Sequence, residues 1–199
     1  MKSKDGSAVQ AVAIGSSRRA VIFSNTAYNE PCDWIPFARE LSASGYQVVL
    51  WKYASNGLEQ IGELSALVAE TRRRGAEKVV LAGGSRGGCL SMMTSSEAGI
   101  ETHGVAILSC AAVFNRRNPT ETAAWAARLK VPLLHITGEG DSIPSLAEAR
   151  SEFESFPVAE KKLVIVPRTA AHGDQLLSAP ESSATTKAEL VAFIERVTR

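Results

Sequence analysis

No stretch of this 199-residue sequence approaches the roughly 20 consecutive apolar residues that a membrane-spanning helix needs. Its first segment, MKSKDGSAVQ, lacks the apolar run of a secretory signal, so a cytoplasmic location is expected. A strong net charge is missing too, because 22 Lys and Arg balance 21 Asp and Glu to give +1 at pH 7. This balance argues against binding to nucleic acid or to an anionic membrane surface.

Cysteine is scarce, and its placement excludes a zinc site. The three cysteines, Cys32, Cys89 and Cys110, cannot all pair within one chain, and none belongs to a CxxC motif or a Cys/His cluster. Cys89 and Cys110 lie in apolar segments, which predicts two small core residues and fits a reducing compartment.

Apolar runs rich in β-branched residues alternate with helix-like segments along the chain. Seven runs are predicted to be strands, at 8–14, 20–24, 46–51, 78–82, 104–109, 131–137 and 162–166. Several are almost continuously hydrophobic, as expected of parallel strands buried on both faces. The alternation predicts one α/β domain over 1–199, a doubly wound, mostly parallel sheet with helices on both faces.

Helical spacing of apolar residues appears between these runs. Three such stripes begin at Trp34, Ile61 and Leu190. For the last helix, Thr186 followed three residues later by Glu189 predicts a capping box. In an open sheet of this kind the site lies at the carboxyl ends of the strands, so the loops there are expected to carry the chemistry.

The segment LAGGSRGGCL, residues 81–90, surrounds Ser85 with four glycines directly after a predicted strand. A phosphate-binding P-loop needs a Gly-Lys pair, which this segment lacks. A relaxed dinucleotide-binding motif also fits the glycines, but no acidic residue that would hold a ribose follows the strand at 104–109. The pattern that fits without strain is G-x-S-x-G over 83–87, followed by a helix at about 86–95.

The G-x-S-x-G turn gives the glycines a physical role. Ser85 must take a strained backbone conformation, which brings Gly83 and Gly87 too close together for side chains. The N–H groups of the next helix point toward the same place and suit a developing oxyanion. For the pentapeptide alone, a glycine-rich turn with an incidental serine is the alternative.

A serine hydroxyl is a poor nucleophile without a base, and the chain has three histidines. His103 precedes a strand, which places it at the amino edge of the sheet. His135 lies inside a strand, where a buried, hydrogen-bonded core histidine is expected. His172 follows the strand at 162–166, so it is predicted at the same edge as Ser85.

The acid that orients this histidine is also expected at a strand end. HITGEGDSIP offers Asp141, with Glu139 as the alternative, and Asp174 is a weaker candidate because it lies only two residues from His172. Asp141 is also placed to form an Asx turn before a helix. The order Ser85, Asp141, His172 matches the nucleophile, acid and base order of this architecture.

With these motifs the chain resembles the α/β-hydrolase superfamily, and within it the small, dienelactone-hydrolase-like serine esterases without a large cap domain. RRAVIFSN and then DWIPFARELSASGYQVVLWKY are similar to the family's third strand, oxyanion loop, first helix and next strand. KVVLAGGSRGG is similar to its nucleophile elbow, VPLLHITGEGDSIP to its acid loop, and LVIVPRTAAHGDQLL to its histidine loop. The resemblance covers nearly the whole chain.

The resemblance implies an enzyme that cleaves a small ester or thioester through an acyl-enzyme intermediate, without a metal or cofactor. Ser85 would be the nucleophile, His172 the general base and acid, and Asp141 the residue that orients His172. The alternatives are a non-catalytic binding protein on the same fold, an acyltransferase or perhydrolase with the same triad, and a nucleotide-binding domain.

The predicted oxyanion loop departs from the family, because many relatives have His-Gly where this chain has Ser24-Asn25. The resemblance implies an oxyanion hole made of the backbone N–H of Arg86 and one from Asn25 or Thr26. Two side chains are candidates for substrate binding. They are Tyr28, which packing alone also explains, and Arg86, whose guanidinium suits a carboxylate or phosphate but also an ordinary salt bridge.

The region where larger relatives carry a cap domain is short here. Only about 20 residues, 111–130, separate two strands, which leaves room for one helix with Trp125 and Ala126 on its buried face. This predicts an open, shallow site for small acyl groups. The NRRN segment at 115–118 would add positive charge to its rim.

Overall fold

The computed structural model describes residues 8–28, 30–110 and 119–199, and the seven predicted strands form one sheet. They are β1 (Gln10–Ile14), β2 (Arg19–Ser24), β3 (Gln47–Lys52), β4 (Lys78–Gly84), β5 (Gly104–Leu108), β6 (Leu133–Gly138) and β7 (Lys161–Val166). The sheet order is β1-β3-β2-β4-β5-β6-β7, and every pairing is parallel except that of β1 with β3 at one edge. The predicted fold class is confirmed.

Helices cover both faces of this sheet. The described residues form α1 (Ile35–Ala43), α2 (Glu59–Arg73), α3 (Arg86–Ser95), α4 (Pro119–Ala126), α5 (Leu146–Ser155) and α6 (Ser183–Val197), with short 3-10 helices at Pro31–Trp34 and Gly173–Leu177. Apolar residues of α1 and α6 belong to the core on one face, and those of α2 and α3 to the core on the other. Within the described ranges, no helix has both the length and the apolar character needed to cross a membrane.

The strand β2 shows why the central strands are almost continuously hydrophobic. Val21 and Phe23 point into the core beneath α1 and α6, whereas Ala20 and Ile22 point into the opposite core. Because side chains alternate along a strand and both faces are covered, apolar residues are needed at every position. Because β2, β4, β6 and β7 run parallel, the loops that follow them meet at one edge of the sheet.

The helix α4 lies within the segment predicted to hold one helix. Ala126 is buried there, and Trp125 packs partly buried against the same core, as predicted. Arg128 lies over the Trp125 ring, with its guanidinium carbon 4.1 Å from the ring centre. The predicted basic rim at 115–118 lies outside the described residues.

The start of α6 differs from the prediction. The helix begins at Ser183, with Ser182 as its N-cap residue, so Thr186 is buried within the first turn and forms no capping box with Glu189. The Ser182 hydroxyl donates to the carbonyl of Leu176 at 3.0 Å, which ties the helix start to the preceding 3-10 helix. A capping box does occur in α5, where Ser145 and Glu148 bond each other's backbone N–H.

Cys89 and Cys110 are buried as predicted, but they form a disulfide with each other. The bond joins α3 to the residues that follow β5. Apolar sequence predicted their burial, whereas their proximity depends on how α3 packs on the sheet. Disulfides are typical of oxidising compartments, so this bond counts against the cytoplasmic location, which stays a prediction.

Removing this disulfide is expected to destabilise the fold. The two cysteines are 21 residues apart, and opening a loop of this size costs about 3 kcal/mol of unfolding free energy. Urea unfolding of the wild type with and without dithiothreitol, and of the Cys89→Ala/Cys110→Ala variant, measures the loss. Cys32→Ser, which changes the exposed free cysteine, is the control. Equal stability in both redox conditions would contradict the prediction.

The buried carboxyl of Glu152 in α5 is expected to make stability fall as pH rises. Its Oε1 lies 3.7 Å from Cys110 Sγ, and burial, assisted by the negative charge of Glu148, raises the pKa of Glu152 from 4.5 to about 8. Because the folded state holds this proton more tightly than the unfolded state, stability decreases between pH 4.5 and 8, by at most about 1.4 kcal/mol per pH unit.

Replacing this carboxyl tests the pH dependence. Glu152→Gln is expected to flatten the decrease in unfolding free energy when urea midpoints are measured from pH 5 to pH 8. Glu154→Gln, on the exposed side of the same helix, is the control. An unchanged slope in Glu152→Gln would show that this carboxyl does not titrate in that range.

Candidate active site

Ser85 stands at a sharp turn between β4 and α3. Its φ of 52° lies in the left-handed region that non-glycine residues avoid, which confirms the predicted backbone strain. A Cβ atom at Gly83 would lie 2.4 Å from the carbonyl carbon of Gly87, and one at Gly87 would lie 2.2 Å from the carbonyl oxygen of Ser24. Gly83 therefore supplies space that the strained turn requires, as predicted, whereas Gly87 makes room for the loop after β2, which the sequence did not indicate.

The structure pairs His172 with Asp141. The Nδ1 atom of His172 lies 2.9 Å and 3.2 Å from the two carboxylate oxygens of Asp141. The Asp141 side chain is 2% exposed and that of His172 is 30% exposed. A carboxylate can only accept a hydrogen bond, so it favours the tautomer with the proton on Nδ1, which leaves the lone pair of Nε2 able to accept a proton from another group.

Asp141 also forms the Asx turn that the sequence offered as its alternative role. Its Oδ1 accepts the backbone N–H of Ile143 at 2.9 Å. The alternative acid, Glu139, is exposed and accepts the backbone N–H of Arg168 at 3.0 Å. Asp174 lies half-buried in the 3-10 helix after His172, where burial raises its carboxyl pKa. Of the three carboxyls, the one bonded to His172 in the structure is thus that of Asp141.

The loop that carries His172 is packed directly against the turn at Ser85. A Cβ atom at Gly84 would lie 2.9 Å from the backbone nitrogen of Asp174, and one at Gly173 would lie 3.5 Å from the backbone nitrogen of Ser85. Gly173 also has a φ of 59°, which lets the chain turn away directly after His172. The loops after β4, β6 and β7 thus meet at one edge, as predicted for parallel strands.

The other two histidines lie elsewhere. His103 precedes β5, and its Nδ1 accepts the backbone N–H of Val79 near the amino edge of the sheet. His135 is fully buried within β6, which lowers its pKa to about 4. The predicted hydrogen bond of His135 is not found: neither ring nitrogen has a partner among the described residues.

The predicted oxyanion loop lies beside the turn at Ser85. Asn25 is buried, and the Thr26 methyl carbon would lie 3.0 Å from a Cβ atom at Gly173. Arg86 is the first residue of α3, so its backbone N–H lies in the first turn, where N–H groups point out of the helix end. Tyr28 is 88% exposed and projects into solvent.

Two aromatic residues at the end of β3 hold this loop, and the sequence analysis missed them. Trp51 donates its indole N–H to Ser24 Oγ at 3.2 Å, and its backbone carbonyl accepts from the side-chain amide of Asn25 at 2.5 Å. The Tyr53 hydroxyl donates to the backbone carbonyl of Asn25. The sequence did carry a signal for this contact. Trp51 and Tyr53 are aromatic residues with polar ends, two positions apart at the carboxyl end of a predicted strand, so they share one face.

The guanidinium of Arg86 lies over the ring of Tyr53, 5.6 Å from its centre. The sequence suggested two roles for the Arg86 side chain, an anion site for substrate and a salt bridge. The cation–π contact is a third role that the sequence did not predict. Among the described residues, no group of three or more His, Cys, Asp or Glu gathers to hold a metal ion.

Comparison with known proteins establishes the fold. No protein-family model matches the chain, and no curated protein matches it significantly. It is similar in structure to a monoacylglycerol lipase of Paleococcus ferrophilus, with a TM-score of 0.80 and 15% identity over 96% of this chain and 99% of the lipase. An esterase of Pyrococcus furiosus has a TM-score of 0.77 and 15% identity over 98% of this chain and 90% of its own.

A dienelactone hydrolase of Anabaena variabilis is also similar, with a TM-score of 0.71 and 17% identity over 96% of this chain and 93% of the hydrolase. The chain therefore has the α/β-hydrolase fold, which confirms the resemblance drawn from its motifs at the level of the fold. Identities of this size establish the architecture, and the case for an activity depends on the residues of the site.

Proposed function

We propose that the protein is a serine esterase that cleaves a small carboxylic ester or thioester. The observation that carries the proposal is the bond between His172 Nδ1 and the buried Asp141 carboxylate, on a loop packed against the strained turn at Ser85. A strained serine turn packed against the loop of an oriented imidazole is the arrangement expected for nucleophilic catalysis by a hydroxyl.

In this mechanism Ser85 attacks the acyl carbonyl while Nε2 of His172 accepts the hydroxyl proton. Asp141 holds the ring in the required tautomer and stabilises the imidazolium that forms. The backbone N–H of Arg86 and one from Asn25 or Thr26 stabilise the oxyanion. His172 then protonates the leaving group, and water activated by His172 hydrolyses the acyl-enzyme.

Two finer parts of the proposal concern the substrate. The connection of 24 residues between β5 and β6 leaves little chain for a cap, so we expect short or exposed acyl groups. Tyr28 and the side chain of Arg86 remain candidates for contacting the substrate. The contact of Arg86 with Tyr53 leaves its positive charge near the oxyanion loop, where it would favour an anionic substrate.

A panel of p-nitrophenyl esters of increasing acyl length tests the proposed activity. Hydrolysis that is fastest for short acyl groups, with fluorophosphonate labelling at Ser85, is the expected result. The absence of both turnover and labelling would favour the non-catalytic binding protein. Labelling with slow hydrolysis that is accelerated by an added alcohol or by hydrogen peroxide would instead favour an acyltransferase or a perhydrolase.

A further inference from the structure

The hydroxyl of Tyr53 bonds a backbone group of the loop that carries the candidate oxyanion donors. It donates to the carbonyl oxygen of Asn25, which lies in the same peptide unit as the N–H of Thr26. In a trans peptide the carbonyl and the N–H point in opposite directions. A bond that fixes the Asn25 carbonyl therefore also fixes the direction of the Thr26 N–H.

The surroundings of this peptide unit show where its two ends point. The Asn25 carbonyl oxygen would lie 2.4 Å from a Cβ atom at Gly87, so this end is turned toward Tyr53 and the first turn of α3. The Thr26 N–H is consequently directed away from Gly87. Thr26 itself borders Gly173, which adjoins both His172 and the backbone of Ser85.

We propose that Tyr53 is a positioning residue that holds the Asn25–Thr26 peptide so that the Thr26 N–H serves as the second oxyanion donor. The inference rests on the proposed function. It selects Thr26 from the two donors considered above, and it assigns a role to a residue outside the predicted triad and oxyanion hole.

Packing around Tyr53 restricts its ring, which a positioning role requires. The ring of Trp51 meets it edge-on with centres 4.8 Å apart, and the guanidinium of Arg86 covers one face. Trp51 also bonds both Ser24 and Asn25, so the end of β3 holds the loop at three points. Arg86, the first candidate donor, thereby contacts the tyrosine that orients the second.

The Tyr53 hydroxyl keeps the proton that it donates to Asn25. Burial raises the pKa of Tyr53 well above its usual value, and the positive charge of Arg86 and the bond to Asn25 oppose this only in part. The hydroxyl therefore stays protonated, and able to donate to Asn25, throughout the pH range in which an esterase is assayed.

Tyr53→Phe tests the inference, because it removes the hydroxyl and keeps the ring. The oxyanion is absent from the bound substrate and develops in the transition states around the tetrahedral intermediate, so we expect kcat to fall about 10–100-fold while KM stays within about threefold. Tyr46→Phe is the matched control, since Tyr46 lies at the other end of β3, is equally aromatic, and has a buried hydroxyl without a hydrogen-bond partner in the described part of the chain. This control is expected to leave both constants unchanged.

Rates are compared per site titrated with a fluorophosphonate, so that unfolded protein is not counted, and melting temperatures are measured in parallel. Equal kcat in Tyr53→Phe and Tyr46→Phe would overturn the positioning role while leaving the esterase proposal intact. A loss that disappears when rates are expressed per titrated site would also overturn it, because Tyr53 would then be structural. A wild-type protein that neither hydrolyses esters nor reacts with the fluorophosphonate would overturn the proposed function, and this inference with it.

Discussion

Ser85→Ala is expected to reduce kcat for p-nitrophenyl ester hydrolysis by at least about a thousandfold and to abolish fluorophosphonate labelling. The variant removes the proposed nucleophile, so no acyl-enzyme can form. The residual rate would come from the oxyanion donors and from substrate binding alone. The fold is expected to survive, because the Ser85 side chain makes no capping bond to α3 and alanine fits the same space.

Ser109→Ala is a matched control for this variant. Ser109 follows β5 as Ser85 follows β4, has a φ of 56°, and buries a hydroxyl with no partner among the described residues. Its loss is expected to leave the esterase rate unchanged. Substantial turnover by Ser85→Ala would exclude Ser85 as the nucleophile, and an equal loss in Ser109→Ala would show that the loss in Ser85→Ala is not specific to that hydroxyl.

Asp141→Asn is expected to lower kcat by about 10,000-fold with little change in fold. Asparagine keeps an oxygen that accepts the Ile143 N–H, so the Asx turn is preserved. Its amide group, however, can donate to His172 Nδ1, which moves the imidazole proton to Nε2. The ring then presents a proton to Ser85 where a base is needed.

Glu139→Gln is the control for this loop, because Glu139 was the alternative acid and accepts a backbone N–H of Arg168 instead of bonding His172. It is expected to leave kcat within about threefold of the wild type, since an exposed contact of this kind contributes little. Comparing kcat of the two variants at pH 8 decides between the carboxyls. A large loss in Glu139→Gln with none in Asp141→Asn would reverse the assignment.

Local patterns predicted the elements and the strained turn. The strands were recognised because the core on both faces of the sheet demands apolar residues at every position, which is visible in a single segment such as 78–82. Gly83 was recognised because its close approach to the backbone of Gly87 tolerates no side chain, a requirement that acts within five residues. The contact that excludes a side chain at Gly87 is with Ser24, which only the fold brings near. The start of α6 was missed because Ser182 bonds Leu176 of the preceding helix, not its own first turn.

The sequence by itself determined the α/β architecture, the strained turn at Ser85 and the small set of residues at strand ends from which a site can be built. Only the tertiary structure decided which carboxyl bonds His172, that Cys89 pairs with Cys110, and that Tyr53 holds the loop after β2. The physical reason is how far apart along the chain the interacting residues lie. The alternation of apolar runs and the steric conflict at Gly83 can be read from neighbours along the chain, whereas these three contacts join residues 21 to 31 positions apart, which only the packed sheet brings together.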